Sequence, residues 1–304
     1  MENGYIVVIG GINADITGKA VKDVIKNESN IGKISITAGG VARNICENLT
    51  RLGADCEFIT TYANDYFGDM LQKSCQELNI SLVHSYISND YATGAYVSLE
   101  DHIGEMEAAV CDSEGILNLP ISHVEKLKVF IKHSQCIVLD CNLSEEMLEY
   151  VIKKYHEKKI LIEAVSSAKV IKLRKNLNNV YAIKLNRNEF ESLYEEPYTT
   201  ENAQKMSKFY NNKIFVTEGK NGSTGYEKGN AIHINAIPSK SIESVNGAGD
   251  AYAAGLAYGF MNGYDIRYSM NIANILSYIT LSSKSAVSEN ISKYKVLTML
   301  KEIN

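Results

Sequence analysis

Short apolar runs rich in β-branched residues recur at 5–9, 58–62, 137–140, 160–163, 180–183 and 214–217, and segments of helical period lie between them. That rhythm predicts a mainly parallel sheet covered by helices, a three-layer α/β/α arrangement. The intervening segments carry the apolar stripes such helices need, as in Ile45, Leu49 and Leu52, or Met147, Leu148, Val151 and Ile152, or Leu256, Phe260 and Met261. Two stretches, 12–37 and 91–112, break the alternation. Strand-like pieces at 34–37, 94–99 and 108–110 lie close together there without a long helix, which predicts a small separate sheet acting as a lid over the strand ends. No Pro/Ser/Gly-rich linker divides the chain, so one domain over 1–304 is expected.

A formal net charge of -5, with Lys interleaved among Glu and Asp, argues against a nucleic-acid-binding surface and points to small-molecule partners. No apolar run reaches the ~18 residues that cross a bilayer, and the first ten residues lack a basic region followed by an apolar segment. A cytoplasmic protein without a membrane partner is expected. The six cysteines form no CxxC pair and read as reduced thiols, and no histidine stands at metal spacing from Cys or carboxylate partners.

The stretch that carries most chemistry is Asn246-Gly247-Ala248-Gly249-Asp250, a glycine-rich turn running into a helix that ends near Met261. Backbone amides at such a helix start can hold an anion, and glycines let a phosphate approach the backbone closely. Asp250, in the first turn, can take the proton of a hydroxyl presented beside that phosphate, which supplies both halves of phosphoryl transfer: an anion hole of Gly247, Ala248 and Gly249, and a base. By itself the string also fits a helix cap. It fits a dinucleotide-binding fingerprint poorly, because no convincing apolar strand precedes it and two helices follow. A Walker A loop fails too, since Ala20 follows Gly18-Lys19.

A second motif, Ala38-Gly39-Gly40-Val41-Ala42-Arg43-Asn44, opens a helix ending at Leu52-Gly53. In this order the two motifs resemble the signature regions of the ribokinase-like (PfkB) carbohydrate and nucleoside kinases, and the resemblance covers essentially the whole chain. It implies the ribokinase-like fold, ATP and Mg²⁺ as cofactors, and a response to K⁺ near Ala286-Val287-Ser288. Asn13, Asp15, Gly39, Gly40, Asn44 and Asn142 would line the sugar site. Asn186 and Glu189 match the family's Asn-x-x-Glu element that positions hydrated Mg²⁺ and phosphate. Thr217, Gly219 and Gly222 resemble its nucleotide-side loop, and Asn274 its adenine-side position. Taken alone, Asn13 and Asp15 also read as a polar turn, Asn188-Glu189 as a helix start and Asn274 as a partly exposed polar residue.

Within that family, Arg43, the Asp112-ended lid strand and Glu163-Ala164-Val165-Ser166 followed by Lys169 look most like the pseudouridine kinases. The implied reaction is transfer of the γ-phosphate of ATP to the 5′-hydroxyl of pseudouridine. Tyr96 and Asp112 on the lid are the candidates for reading the base. Departures are Asn246 where the family often has Thr, Ala164 where pseudouridine kinases have Pro, and Ala63-Asn64-Asp65 in place of a Gly-Asp pair. The alternatives are a ribokinase or another nucleoside kinase of the family, and, from a different class, a non-catalytic ligand sensor. Apolar faces on the lid suggest a homodimer paired through it.

Overall fold

The computed structural model describes residues 4–239 and 242–303. Its strands are β1 (Ile6–Ile9), β2 (Asn13–Ala20), β3 (Gly32–Gly39), β4 (Cys56–Ile59), β5 (Thr61–Ala63), β6 (Tyr86–Ser88), β7 (Ala95–Glu100), β8 (Met106–Asp112), β9 (Cys136–Asp140), β10 (Lys159–Glu163), β11 (Ala182–Asn186), β12 (Lys213–Thr217), β13 (Ser223–Glu227) and β14 (Asn230–Ile234). Every residue of β1 is buried, as an unbroken apolar run requires, because it has no polar face to turn toward water. It lies inside an eight-stranded sheet of order β14-β13-β12-β11-β10-β9-β1-β4. From β12 to β4 the strands are parallel, and antiparallel β13 and β14 close the far edge.

Alternation along these strands sorts the core onto two faces. Ile6, Val8, Val138, Leu161 and Phe215 pack with the helices Val41–Arg51, Ala248–Met261 and Ile266–Leu281, while Val7, Ile9, Ile137, Ile162 and Val216 pack with Glu145–Lys154, Arg187–Tyr194 and Thr200–Phe209. This is the predicted three-layer arrangement. Two boundaries differ from the sequence reading. The run at 58–62 is divided between β4 and β5, and the strand expected at 180–183 runs instead from Ala182 to Asn186, because Val180 ends a 3-10 turn. The hairpin of β13 and β14 has no apolar run to announce it. Ser223 and Thr224 are buried there by hydrogen bonds, with Tyr252 Oη donating to Ser223 Oγ at 2.8 Å and Thr224 Oγ1 donating to Glu218 Oε1 at 2.7 Å.

The lid is a second sheet of order β3-β2-β7-β8. It is mixed: β2 runs parallel to β7 and the two outer pairings are antiparallel. β2 is the strand the sequence hides, since Asn13 and Asp15 read as a polar turn and no apolar run marks residues 13–20. Ile34, Val97, Met106 and Val110 of this sheet are exposed. The described cysteines are all free, and no helix among the described residues is long and apolar enough to cross a membrane. One histidine reading is corrected. Folding brings Asp23 to His102, with Asp23 Oδ1 3.1 Å from His102 Nδ1 and Asp101 beside them, a proximity that sequence spacing does not reveal.

What joins the sheet to the loops above it is Asp140, fully buried at the end of β9. Its Oδ2 accepts from the amides of Gly11 at 2.9 Å and Ala42 at 3.2 Å, and its Oδ1 accepts from Asn142 at 2.9 Å. Gly10 leaves the carboxylate room, because a Cβ there would lie 2.5 Å from it. Asp140→Ala strands buried amides without acceptors, so it should lower unfolding stability by about 3 kcal/mol in urea titration. A loss under about 1 kcal/mol would contradict this role.

Candidate active site

The register of the parallel sheet assembles the floor of the site. Asp140 stands opposite Glu163, and Glu163 opposite Lys184, so three ionisable side chains from β9, β10 and β11 form one row on the face covered by helix Ala248–Met261. Glu163 Oε1 and Lys184 Nζ are both buried and 2.9 Å apart. The Lys184 ammonium lies directly under the glycine-rich turn, since a Cβ on Gly249 would come within 2.7 Å of it. Gly247 has φ +77°, and a Cβ there would fall 1.8 Å from Ala286 O, so only glycine suits this turn. Helix Ala248–Met261 begins at once, and its first-turn amides carry the positive end of the helix dipole. Close packing against helix Ile266–Leu281 fixes its direction: a Cβ on Gly255 would be 2.4 Å from Ala273 Cα, and Ser277 Oγ donates to Ala248 O at 2.8 Å.

Asp250 sits half-buried in the first turn, and Asn44 Nδ2 donates to its Oδ2 at 2.9 Å. Burial raises Asp250 to about 7, against the lowering pull of the Asn44 hydrogen bond and of Lys184, with Asp140 and Asp15 adding to the rise. Burial likewise raises Glu163 to about 8, opposed by Lys184. For Lys184, burial pulls downward and is outweighed by Glu163, Glu189 and Asp250, which leave it above the ordinary lysine value. The result is a carboxyl group raised toward neutrality beside a glycine-rich helix start that is backed by an ammonium.

On the lid side, Asn13 Nδ2 hydrogen-bonds Asp15 Oδ1, and the Asp15 carboxylate lies against Gly39, where a Cβ would be 2.1 Å from Oδ2. Burial raises Asp15 to about 6, with Asn13 and the charge of Arg43 pulling it down. Gly40, at φ +104°, lets the helix start pass over Gly11, whose carbonyl would be 2.6 Å from a Cβ. Tyr96 is the register partner of Asp15 on β7 and shares its face of the lid. Asp112 does not. It pairs with Ala95, one position out of phase, so alternation turns it to the opposite face, where its Oδ1 accepts from Glu114 N at 3.1 Å. Cys111, the partner of Tyr96, holds the position expected of Asp112. Asn142 approaches Gly11 and accepts from Lys169 Nζ at 2.6 Å through Oδ1. The turn leading to Lys169 is strained: Val165, β-branched, has φ +67°, and Ser166 N bonds Ala164 O at 2.7 Å across it.

At the ends of β11 and β12 is a cavity of about 350 Å³ lined by Asn186, Arg187, Asn188, Thr217, Glu218 and Asn221. Asn186 caps helix Arg187–Tyr194 in a reciprocal box: its Oδ1 accepts from Glu189 N at 2.9 Å, and Glu189 Oε2 accepts from Asn186 N at 2.7 Å. The other Glu189 oxygen and the second lone pair of Asn186 Oδ1 lie outside that box and can accept from metal-bound water. This donor set suits a hydrated divalent ion held through water, since Mg²⁺ favours carboxylate oxygen and keeps several waters. Gly219 (φ +57°) and Gly222 (φ +94°) shape the loop after β12, where a Cβ on Gly222 would fall 2.0 Å from Ile234 O. Asn274 is buried and donates to Asn235 O at 2.8 Å, which ties the exit of the β13–β14 hairpin to helix Ile266–Leu281.

Sequence reasoning therefore missed Asp140, Lys184 and the role of Glu163. A signal existed for each, because an ionised residue inside or ending an otherwise apolar, fully buried strand is rare without a partner. What the sequence could not supply was the register that lines them up.

The chain matches the family model described as pfkB family carbohydrate kinase over residues 3–293. It is 28% identical to the pseudouridine kinase of Escherichia coli (strain K12), covering 98% of this chain and 97% of that protein. A putative sugar kinase from Clostridium perfringens superposes with a TM-score of 0.86 at 26% identity, over 99% of this chain and 97% of the other. Arabidopsis thaliana ribokinase complexed with ribose and ATP shares the fold at TM-score 0.83 and 17% identity, over 98% and 99%. With a turn and a carboxylate suited to phosphoryl transfer and a family match over nearly its whole length, the chain belongs to the pfkB family of carbohydrate kinases, phosphotransferases that act on a hydroxyl group.

Proposed function

We propose that this kinase transfers the γ-phosphoryl group of ATP to the 5′-hydroxyl of pseudouridine, giving pseudouridine 5′-phosphate and ADP. The observation that carries the reading is the Asp250–Asn44 hydrogen bond at the mouth of a glycine turn backed by Lys184. Asp250 takes the 5′-hydroxyl proton as that oxygen forms its bond to phosphorus, and the bond from the γ-phosphorus to the bridging oxygen breaks to release ADP. Amides of Gly247, Ala248 and Gly249, with the Lys184 charge beneath them, stabilise the moving phosphoryl group. Asp15 and Asn13 receive the ribose hydroxyls across from Gly39 and Gly40, and Tyr96, on the face of Asp15, meets the base.

Asn186, Thr217, Gly219, Gly222 and Asn274 form the nucleotide side. Glu189 and Asn186 would hold Mg²⁺ through water, and the ion would supply charge neutralisation for the phosphates of ATP. Support for pseudouridine comes from the similarity to the Escherichia coli pseudouridine kinase over nearly the full length of both chains, together with the Lys169–Asn142 contact at the sugar end. The exposed apolar residues of the lid support pairing of two copies through it, which light scattering tests directly: a dimer is expected, and a monomer at working concentration would refute the pairing.

Purified protein with ATP and Mg²⁺, assayed for ADP release against pseudouridine, uridine, cytidine, adenosine and ribose at equal concentration, should turn over pseudouridine selectively. Selective turnover of another acceptor would keep the kinase and move the substrate, and silence on all five would favour a ligand sensor. The base must be ionised to act. Because its value is raised to about 7, kcat/KM should fall roughly tenfold per pH unit below neutrality, and more steeply below about 6 as Asp15 also protonates. A profile flat down to pH 5 would exclude Asp250 as the base.

A further inference from the structure

Arg43 is a motif residue for which the phosphoryl-transfer reading has no use, yet its guanidinium is buried at the edge of the site. Nη1 donates to Asn44 Oδ1 at 3.2 Å and pairs with Glu47 Oε2 at 2.6 Å, while Nη2 donates to Ser74 Oγ at 3.3 Å. Glu47 is held in turn by Arg51, whose Nε and Nη2 reach its other oxygen at 2.8 and 2.7 Å. Arg43 Nε has no hydrogen-bond partner among the described residues, and the fork's terminal nitrogens serve Asn44, Glu47 and Ser74, with the Cys75 thiol beside them.

A carboxamide has one donor end and one acceptor end, and the two neighbours of Asn44 are a cation and a carboxylate. With its oxygen on Arg43, its nitrogen must face Asp250. The flipped amide would set donor against guanidinium and acceptor against carboxylate, both repulsive. We propose that Arg43 is a positioning residue: it locks the Asn44 carboxamide as a donor to Asp250 Oδ2 and so holds the base with its other oxygen free for the acceptor hydroxyl. This rests on Asp250 being the base.

The charge of Arg43 also reaches Asp15, which it pulls down, and the thiols Cys46 and Cys75. Groups that face Asp250 from the elements around it are Asn44 on its helix, Asp140 and Glu163 at the ends of β9 and β10, Lys184 on β11 and Asp15 on β2. Removing Arg43 frees Asn44 to turn, and the lowering hydrogen bond on Asp250 goes with it.

The test compares kcat and the pH profile of R43M, N44A, the double variant R43M/N44A and D250N, with thermal melts to confirm folding. R43M should lose roughly tenfold in kcat, part of the ~10²-fold that a misplaced reacting group costs, and the acid limb of kcat/KM should move to higher pH. R43M and N44A should not multiply: the double variant should be no slower than N44A alone. R43K keeps the charge without the planar fork, should fall between wild type and R43M, and replaces R43M if that variant does not fold. A folded R43M, or R43K in its stead, with wild-type kcat and pH profile overturns the proposal, as do effects that multiply with N44A. Unchanged turnover in D250N would instead remove the base assignment itself, which separates the two failures.

Discussion

The Asp140 carboxylate is the point on which the upper half of the molecule hangs. It is fully buried at the end of a central strand, and the amides it satisfies belong to the loop after β1, to the first turn of helix Val41–Arg51 and to Asn142. Asn13 lies two residues beyond Gly11 and Asn44 two residues beyond Ala42, so this acceptor fixes where the segments carrying both asparagines begin. A buried carboxylate is tolerated because backbone donors surround it, and its geometry leaves little slack for anything built on it.

Around that anchor the protein concentrates like charge. Asp15, Asp140, Glu163 and Asp250 converge with Lys184 beneath the glycine turn, and burial raises each of the four carboxyl groups. Such crowding is costly for folding, and it brings Asp250 among others close to neutrality, where a carboxyl group can both take and return a proton. The strained Val165 turn beside Glu163 fits the same pattern of local cost at a working site.

The sheet, the helix layers and the lid were legible because burial on both faces demands apolar runs and helices demand periodic stripes. Asp250, Asn44 and the glycines could be singled out as candidates from their order along the chain, and folding brings Asn44 onto Asp250. β2 was not legible, because Asn13, Asp15 and Gly18 are poor strand formers that tertiary pairing holds extended. The face of Asp112 depends on strand register, and one residue of phase reverses it. Lys184 and Glu163 meet only because β10 and β11 align, a long-range fact that no local pattern contains.

The proposed transfer needs Asp250 and the amides of residues 247–249, neighbours at one helix start, to meet the acceptor hydroxyl and the terminal phosphate side by side. A crystal structure with pseudouridine and a non-hydrolysable ATP analogue tests this most directly. The 5′-oxygen should lie within about 3 Å of Asp250, in line with a terminal phosphate resting on the amides of residues 247–249. A primary hydroxyl bound away from Asp250, or a terminal phosphate held elsewhere in the cleft, would contradict it.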